Sequence, residues 1–236
     1  MLEEQRIHVN SNEFLKGVKD CIPTLFGYLS IGFACGVVSK SCGMTVLETV
    51  AMSTFIYAGS AQFIAASMIL SSASITQTIL TVFLVNLRHL LMSAAIAPYF
   101  KDNSLKKNFT VGMLMTDETF ALASSEGNNK SNISYKWMIG VNVTAYLNWI
   151  AATFVGACFS SLIYDYKKFG LDFALPAMFI GLLVSSLKDN SEVKKSAIVV
   201  AFSAIIFIVA VKFFSANTAI VISAVLGAFI GGVVKK

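Results

Sequence analysis

Charge is scarce in this chain. Of its 236 residues only 13% are Asp, Glu, Lys or Arg, while 56% are hydrophobic and the mean hydropathy is +0.72. A soluble domain carries about 25% charged residues, so that class is disfavoured first. The signatures of several chemistries are missing as well. No GxxxxGK[ST] loop is present to cradle nucleotide phosphates, and neither HExxH nor GxSxG occurs. Four cysteines (Cys21, Cys35, Cys42 and Cys158) show no CxxC spacing, and two histidines are too few to complete a metal set with them. No basic stripe with interleaved aromatics points to nucleic acid, so the net charge of +5 bears on membrane orientation instead. The sequence therefore predicts no enzyme and no cofactor, and a chain that does not itself burn ATP.

What the chain has is apolar runs. Eight can be marked, at about 22–39, 46–70, 75–98, 109–125, 137–163, 173–187, 196–211 and 218–234. A crossing takes about 20 apolar residues, so the length is consumed by membrane segments. Polar, Lys-bearing connections separate them, such as 101–108 and 188–195, and none is long enough to divide the chain. Residues 1–20 are polar and lack the layout of a cleaved signal peptide. The expected organisation is an N-terminal tail at 1–21 and one transmembrane transport domain at 22–236. The fold class is all-α, a polytopic bundle of six to eight membrane segments.

Two segments do not read as plain helices. The run 46–70 is interrupted by YAGSAQF (57–63), and 109–125 is short with Thr116, Asp117, Glu118 and Thr119 at its centre. Such interruptions mark broken or re-entrant helices that line a cavity. Lysine placement tests this. With all eight segments crossing, the face holding the N-terminus has ten Lys and Arg residues and the other has seven; Arg88, inside a run, is left aside. If 46–70 and 109–125 dip in and return, Lys101, Lys106 and Lys107 change sides and the split becomes thirteen to four. The positive-inside rule favours the second arrangement, and both place the two termini in the cytoplasm.

The run 75–98 carries Asn86, Arg88 and His89 in VNLRHLLM. An Arg near the middle of a span costs roughly 2.5–3.5 kcal/mol on insertion scales, so it has a task or a partner. Asn86 and His89 share one helix face and Arg88 points elsewhere. Either Arg88 locks packing through a carboxylate or it handles substrate. Asp117 and Glu118 are the acids available to it: one can pair with Arg88 while the other takes up and releases a proton, unless the segment is an interfacial loop with both in water. His89 is a second proton relay or a packing group. In YAGSAQF, Gly59 admits close backbone approach, and Ser60 and Gln62 offer hydrogen bonds. A half-helix starting there would present free N–H groups to a carboxylate, or the small residues only let helices touch. Asn142 and Asn148 read as interhelical hydrogen-bonders.

In order, GYLSIGFACGV (27–37), FIYAGSAQF (55–63), NLRHLLMSAAIAPY (86–99) and TDETFAL (116–122) resemble the AzlC family of bacterial membrane permeases, with GLDFALPAMFIGLL (170–183) a weaker match. Only the Asn- and Ser-rich loop 126–135 departs from that pattern. The resemblance implies the large subunit of a two-component exporter of branched-chain amino acids, working with a very small, hydrophobic AzlD-like subunit and driven by an ion gradient such as that of protons. It also strengthens a direct role for Arg88, Ser60 and Gln62. The residues expected to bind substrate are Gly59, Ser60, Gln62, Asn86 and Arg88, and those expected to couple the ion are His89, Asp117 and Glu118. Other readings remain open: transport of another small solute in either direction, or a membrane scaffold.

Overall fold

The computed structural model describes residues 2–234 apart from 164, 175, 178, 179, 182, 185–192 and 215. Among them are nine α-helices and no strand: α1 Leu2–Ser41, α2 Val46–Phe55, α3 Gly59–Leu70, α4 Ile75–Ile96, α5 Leu105–Met113, α6 Asp117–Asn129, α7 Tyr135–Phe159, α8 Val193–Ala210 and α9 Ala216–Val234. The all-α bundle expected from composition is what forms. Asn12–Ser41, Ile75–Phe100, Tyr135–Leu162 and Val193–Ala210 are each long and apolar enough to cross a membrane. The sixth apolar run, 173–187, falls in part outside the described residues. Both interrupted segments are broken, at 56–58 and 114–116.

Helices α1 and α7 form the frame. Gly17 lies against Trp137 and Val141, and Gly36 against Thr153 and Ala157, so the two helices run parallel. Small residues make the contact, as is usual where lipid supplies no hydrophobic drive and close backbone approach must replace it. A Cβ at Gly36 would sit 2.2 Å from the Thr153 carbonyl oxygen, and one at Gly156 2.1 Å from that of Phe33.

Contacts at one end fix the path between them. The Ile133 N–H donates to the Tyr99 carbonyl at 3.1 Å, Asn132 donates to Asp102 at 2.9 Å, and Lys16 pairs with Glu126 at 3.3 Å. The starts of α1 and α7 and the ends of α4 and α6 therefore share one face, here called the Lys16 face. Helix α4 runs antiparallel to α1 and is the one full crossing between α1 and α7. The α2–α3 hairpin enters from the opposite, Ser41 face and returns to it. The α5–α6 hairpin does the same from the Lys16 face. This is the arrangement that lysine placement favoured.

A repeat follows from this path. Shifting the bounds of α2 and α3 by 58 residues gives those of α5 and α6 to within one residue. Each unit is one crossing helix and one hairpin, and the units have opposite orientation, which is an inverted-topology repeat.

Local chemistry makes the breaks. At the first, Tyr57 adopts φ 45° and Ala58 is extended. A left-handed non-glycine residue costs on the order of 1–3 kcal/mol, which the surroundings must offset. At the second, Thr116 is extended and its hydroxyl accepts the Thr119 N–H, starting α6 with a capping box. The carbonyl ends are met by α7: the Tyr146 hydroxyl donates to Thr54 O at 2.9 Å, and Asn142 Nδ2 donates to Val111 O at 3.1 Å. Unpaired backbone is thereby removed from the lipid on that side.

The frame generates a paired test. Gly36→Ala forces α1 from α7 and should lower stability by about 1–3 kcal/mol. Gly27→Ala, where nothing lies within 4 Å, should hold stability or raise it by up to about 1 kcal/mol through helix propensity. Thermal unfolding in detergent would show midpoints that do not fall together.

Candidate functional site

The two hairpin tips meet halfway through the fold. Helices α3 and α6 both begin there, so two helix N-termini converge, each carrying about half a positive charge. Helix α6 is capped by Thr116, while Ala58 gives α3 no side-chain cap. The first N–H groups of α3 are thus left for a ligand or water. Gly59 permits the tip to pack on α7: a Cβ there would lie 3.0 Å from the Trp149 ring.

Arg88 of α4 reaches between the tips. Its Nη2 donates to Ser60 Oγ at 2.7 Å, and its Nη1 lies 2.6 Å from Asp117 Oδ2. The side chains of Arg88 and Asp117 keep 22% and 17% of their surface exposed, so the pair is mostly shielded. At an effective dielectric of about 20, opposite charges 4 Å apart gain about 4 kcal/mol. That is the size of the penalty for placing the Arg in the membrane. The ion pair is what permits Arg88 to be there.

Around this pair Tyr28, Tyr57, Ala58, Gly59, His89, Thr116, Glu118 and Trp149 close a gap of about 10 Å³. That is room for about one water. The Tyr28 hydroxyl bonds the Thr116 hydroxyl, and the Tyr28 ring meets Trp149 edge-on with centroids 5.8 Å apart. Glu118 turns its carboxylate toward Tyr28 and Thr116. His89 Nδ1 lies 3.3 Å from the Asn86 carbonyl oxygen. Among the described residues no group of three His, Cys, Asp or Glu side chains gathers as a metal site.

Residues 23–163 match the family described as AzlC protein. The chain belongs to the AzlC family. The inner membrane protein YgaZ of Escherichia coli K12 is 29% identical over 222 residues, covering 92% of this chain and 89% of that protein. The branched-chain amino acid transport protein AzlC of Bacillus subtilis 168 is 29% identical over 164 residues, 69% of this chain and 63% of that one. An uncharacterised membrane protein of Archaeoglobus fulgidus is 29% identical over 194 residues, covering 80% and 84%. No solved structure matches.

The AzlC match spans α1 to α7, which is the part that builds the site. Of the residues singled out in the sequence, Gly59, Arg88, His89, Asp117 and Glu118 line the gap, and Ser60 touches it through Arg88. Gln62 stands one layer back: its Nε2 donates to Ser53 Oγ at 2.8 Å and its Oε1 accepts from Trp149 Nε1 at 2.7 Å. Asn86 does not line the gap; its buried Oδ1 has no hydrogen-bond partner. Tyr28, Tyr57, Ala58, Thr116 and Trp149 are the lining residues that sequence reasoning did not assign to the site. Four of them sit in the quoted motifs: Tyr28 in GYLSIGFACGV, Tyr57 and Ala58 heading YAGSAQF, and Thr116 opening TDETFAL.

The pair predicts strong non-additivity. Arg88→Ala and Asp117→Ala each strand a charge, so each alone should destabilise more than half as much as the double variant. A double-mutant cycle by denaturation in micelles should return a coupling of about 1–3 kcal/mol, whereas a value near zero would mean the two side chains do not interact in solution.

Proposed function

We propose that this chain is the large subunit of a two-component secondary transporter that exports branched-chain amino acids across the cytoplasmic membrane. The observation that carries the reading is Arg88, held between two half-helix N-termini and already paired with a carboxylate. A membrane-embedded cation that has an exchangeable anion is a receptor for a carboxylate. The Bacillus subtilis relative, a branched-chain amino acid transport protein, supports the reading.

Transport then proceeds by ion-pair exchange. The substrate carboxylate takes Arg88 and the uncapped start of α3, near Gly59 and Ser60. Asp117, released from Arg88, receives the substrate ammonium. A zwitterion brings equal and opposite charges, so the site stays neutral throughout and no extra charge is desolvated. The closed gap has no room for an amino acid, so the tips separate to admit one. Glu118, next to Asp117 and turned to the Tyr28 and Thr116 hydroxyls, is the proton carrier, with His89 as its relay. The Lys16 face is cytoplasmic on the lysine count, which also assigns both termini to the cytoplasm. The AzlD-like subunit packs on the outward side of α4, where Ile79, Phe83 and Leu90 are exposed.

Counterflow of labelled leucine in vesicles, with and without the small subunit, tests this. Arg88→Ala should abolish counterflow at normal membrane level. Glu118→Gln should keep exchange yet lose uptake or efflux driven by a pH gradient. Full leucine flux through Arg88→Ala would end the proposal, and gradient-driven flux through Glu118→Gln would move coupling to another group.

A further inference from the structure

Gly112, near the end of α5, is not a packing glycine. At Gly36 and Gly156 an added Cβ would fall 2.2 and 2.1 Å from a carbonyl oxygen of the facing helix, so no larger residue fits there. At Gly112 it would come no closer than 3.5 Å, to Ser93 Oγ, which is ordinary contact. Alanine would suit the helix better. Beside this glycine, between the end of α4 and α5, lies a cavity of about 190 Å³, lined by Ser93, Ile96, Phe100, Val111, Gly112 and Met115 among others. An engineered apolar cavity of about 150 Å³ admits benzene, so this one has room for an aliphatic side chain. A fold gives up packing to hold such a space open. The cavity adjoins the central site along two stretches of chain. On α4, Ser93 lies one turn beyond His89 and on the same face, about 6 Å further along the axis. On the second hairpin, Met115 lines the cavity and the next residue, Thr116, lines the central gap. Met115 is 1% exposed and marks the boundary. Asn108, seven residues earlier and about 10 Å away along the helix axis, closes the far end: its Nδ2 donates to Phe100 O at 3.2 Å, and its buried Oδ1 has no hydrogen-bond partner. That end is polar and suits water; the end next to Met115 is apolar.

We propose that this cavity is the subsite for the aliphatic side chain of the substrate, and that Gly112 sets its depth. The inference rests on the transport reading. With the carboxylate at Arg88 and the start of α3, and the ammonium at Asp117, two of the substituents on the substrate's Cα are fixed. The rings of Tyr28 and Trp149, from α1 and α7, wall the gap on the frame side. The side chain is left the direction along α4 toward Ser93. Met115, unbranched and adaptable, turns aside to admit it when the tips separate. A leucine side chain reaches one carbon further from Cα than that of valine, so leucine is the substrate that senses Gly112.

Counterflow in vesicles holding the full-length chain and the small subunit tests this, read as the ratio of leucine to valine flux at equal concentrations below saturation. Gly112→Leu fills the cavity and should lower that ratio by about tenfold or more, the worth of one methylene in an apolar pocket. Ser93→Leu fills the same space from the opposite wall and should act alike. Gly112→Ala, whose Cβ overlaps nothing, should lower the ratio by about threefold. It keeps the test decisive if the bulkier variants do not reach the membrane. A purely structural effect would reduce both fluxes together and leave the ratio where it was. An unchanged ratio in Gly112→Ala, with leucine carried by the unaltered protein, overturns the subsite and leaves the transport reading standing; so does an unchanged ratio in a bulkier variant that reaches the membrane. Absence of both leucine and valine flux from the unaltered protein would overturn the transport reading, and the subsite with it.

Discussion

Two helix N-termini that face one another across the middle of a membrane repel, and the fold must hold something negative between them. Here the positive ends of α3 and α6 meet and Arg88 adds a full charge to them. Asp117, in the first turn of α6, answers both: it lies at the end of its own helix dipole and 2.6 Å from the guanidinium. Acid at a helix start and acid beside an Arg are separately favourable, and one side chain supplies both. The hairpins can reach the centre only because that charge is there. Their opposite, carbonyl ends are disposed differently, for Tyr146 and Asn142 of α7 take them up. Donor ends thus turn to the gap and acceptor ends to the frame.

That division explains why α7 must be both close to α1 and rich in polar side chains. Glycine at 36, 140 and 156 brings the two backbones together, and the same helix then carries Asn142, Tyr146, Asn148 and Trp149 inward. Asn148 Nδ2 donates to Leu25 O on α1 at 3.3 Å, and Trp149 holds Gln62 in place. Gln62 is therefore occupied at both ends of its amide, and it fixes the α2–α3 tip by tying Ser53 to Trp149.

Much of this was legible from the sequence because it rests on unfavourable placements. An Arg, two acids and a Gly-Ser pair inside apolar runs stand out against the lipid whatever the tertiary structure, and lysine asymmetry told the hairpins from full crossings. Other features were hidden for physical reasons. The repeat is one of backbone path: at the 58-residue shift, YAGSAQF faces MTDETFA with no identical residue, so neither periodicity nor identity reveals it. Tyr28 and Trp149 look like ordinary core aromatics until their neighbours are known. Helix α1 is continuous from Leu2 to Ser41. Asp20 accepts the Trp137 indole N–H at 2.8 Å, so the polar start of that helix is tied to α7.

The charge arithmetic of the centre also limits what can pass. With Arg88 and Asp117 paired, the pair carries no net charge, and the remaining positive character comes from the half-helix ends, with Glu118 beside them. An anion alone would displace Asp117 and leave it as an uncompensated carboxylate; a cation alone would leave Arg88 without its partner. Each case strands a charge in a medium where that costs several kcal/mol. A zwitterion, or an anion accompanied by a proton on Glu118, avoids the penalty. On the transport reading the central site therefore selects for net neutrality and for a carboxylate, and it has no means of its own to measure the side chain. Discrimination between a branched chain and a shorter one must come from walls that surround the rest of the molecule, such as the apolar residues between α4 and α5. Charge recognition and size recognition are then separate structures, and one can vary among relatives while the other is kept.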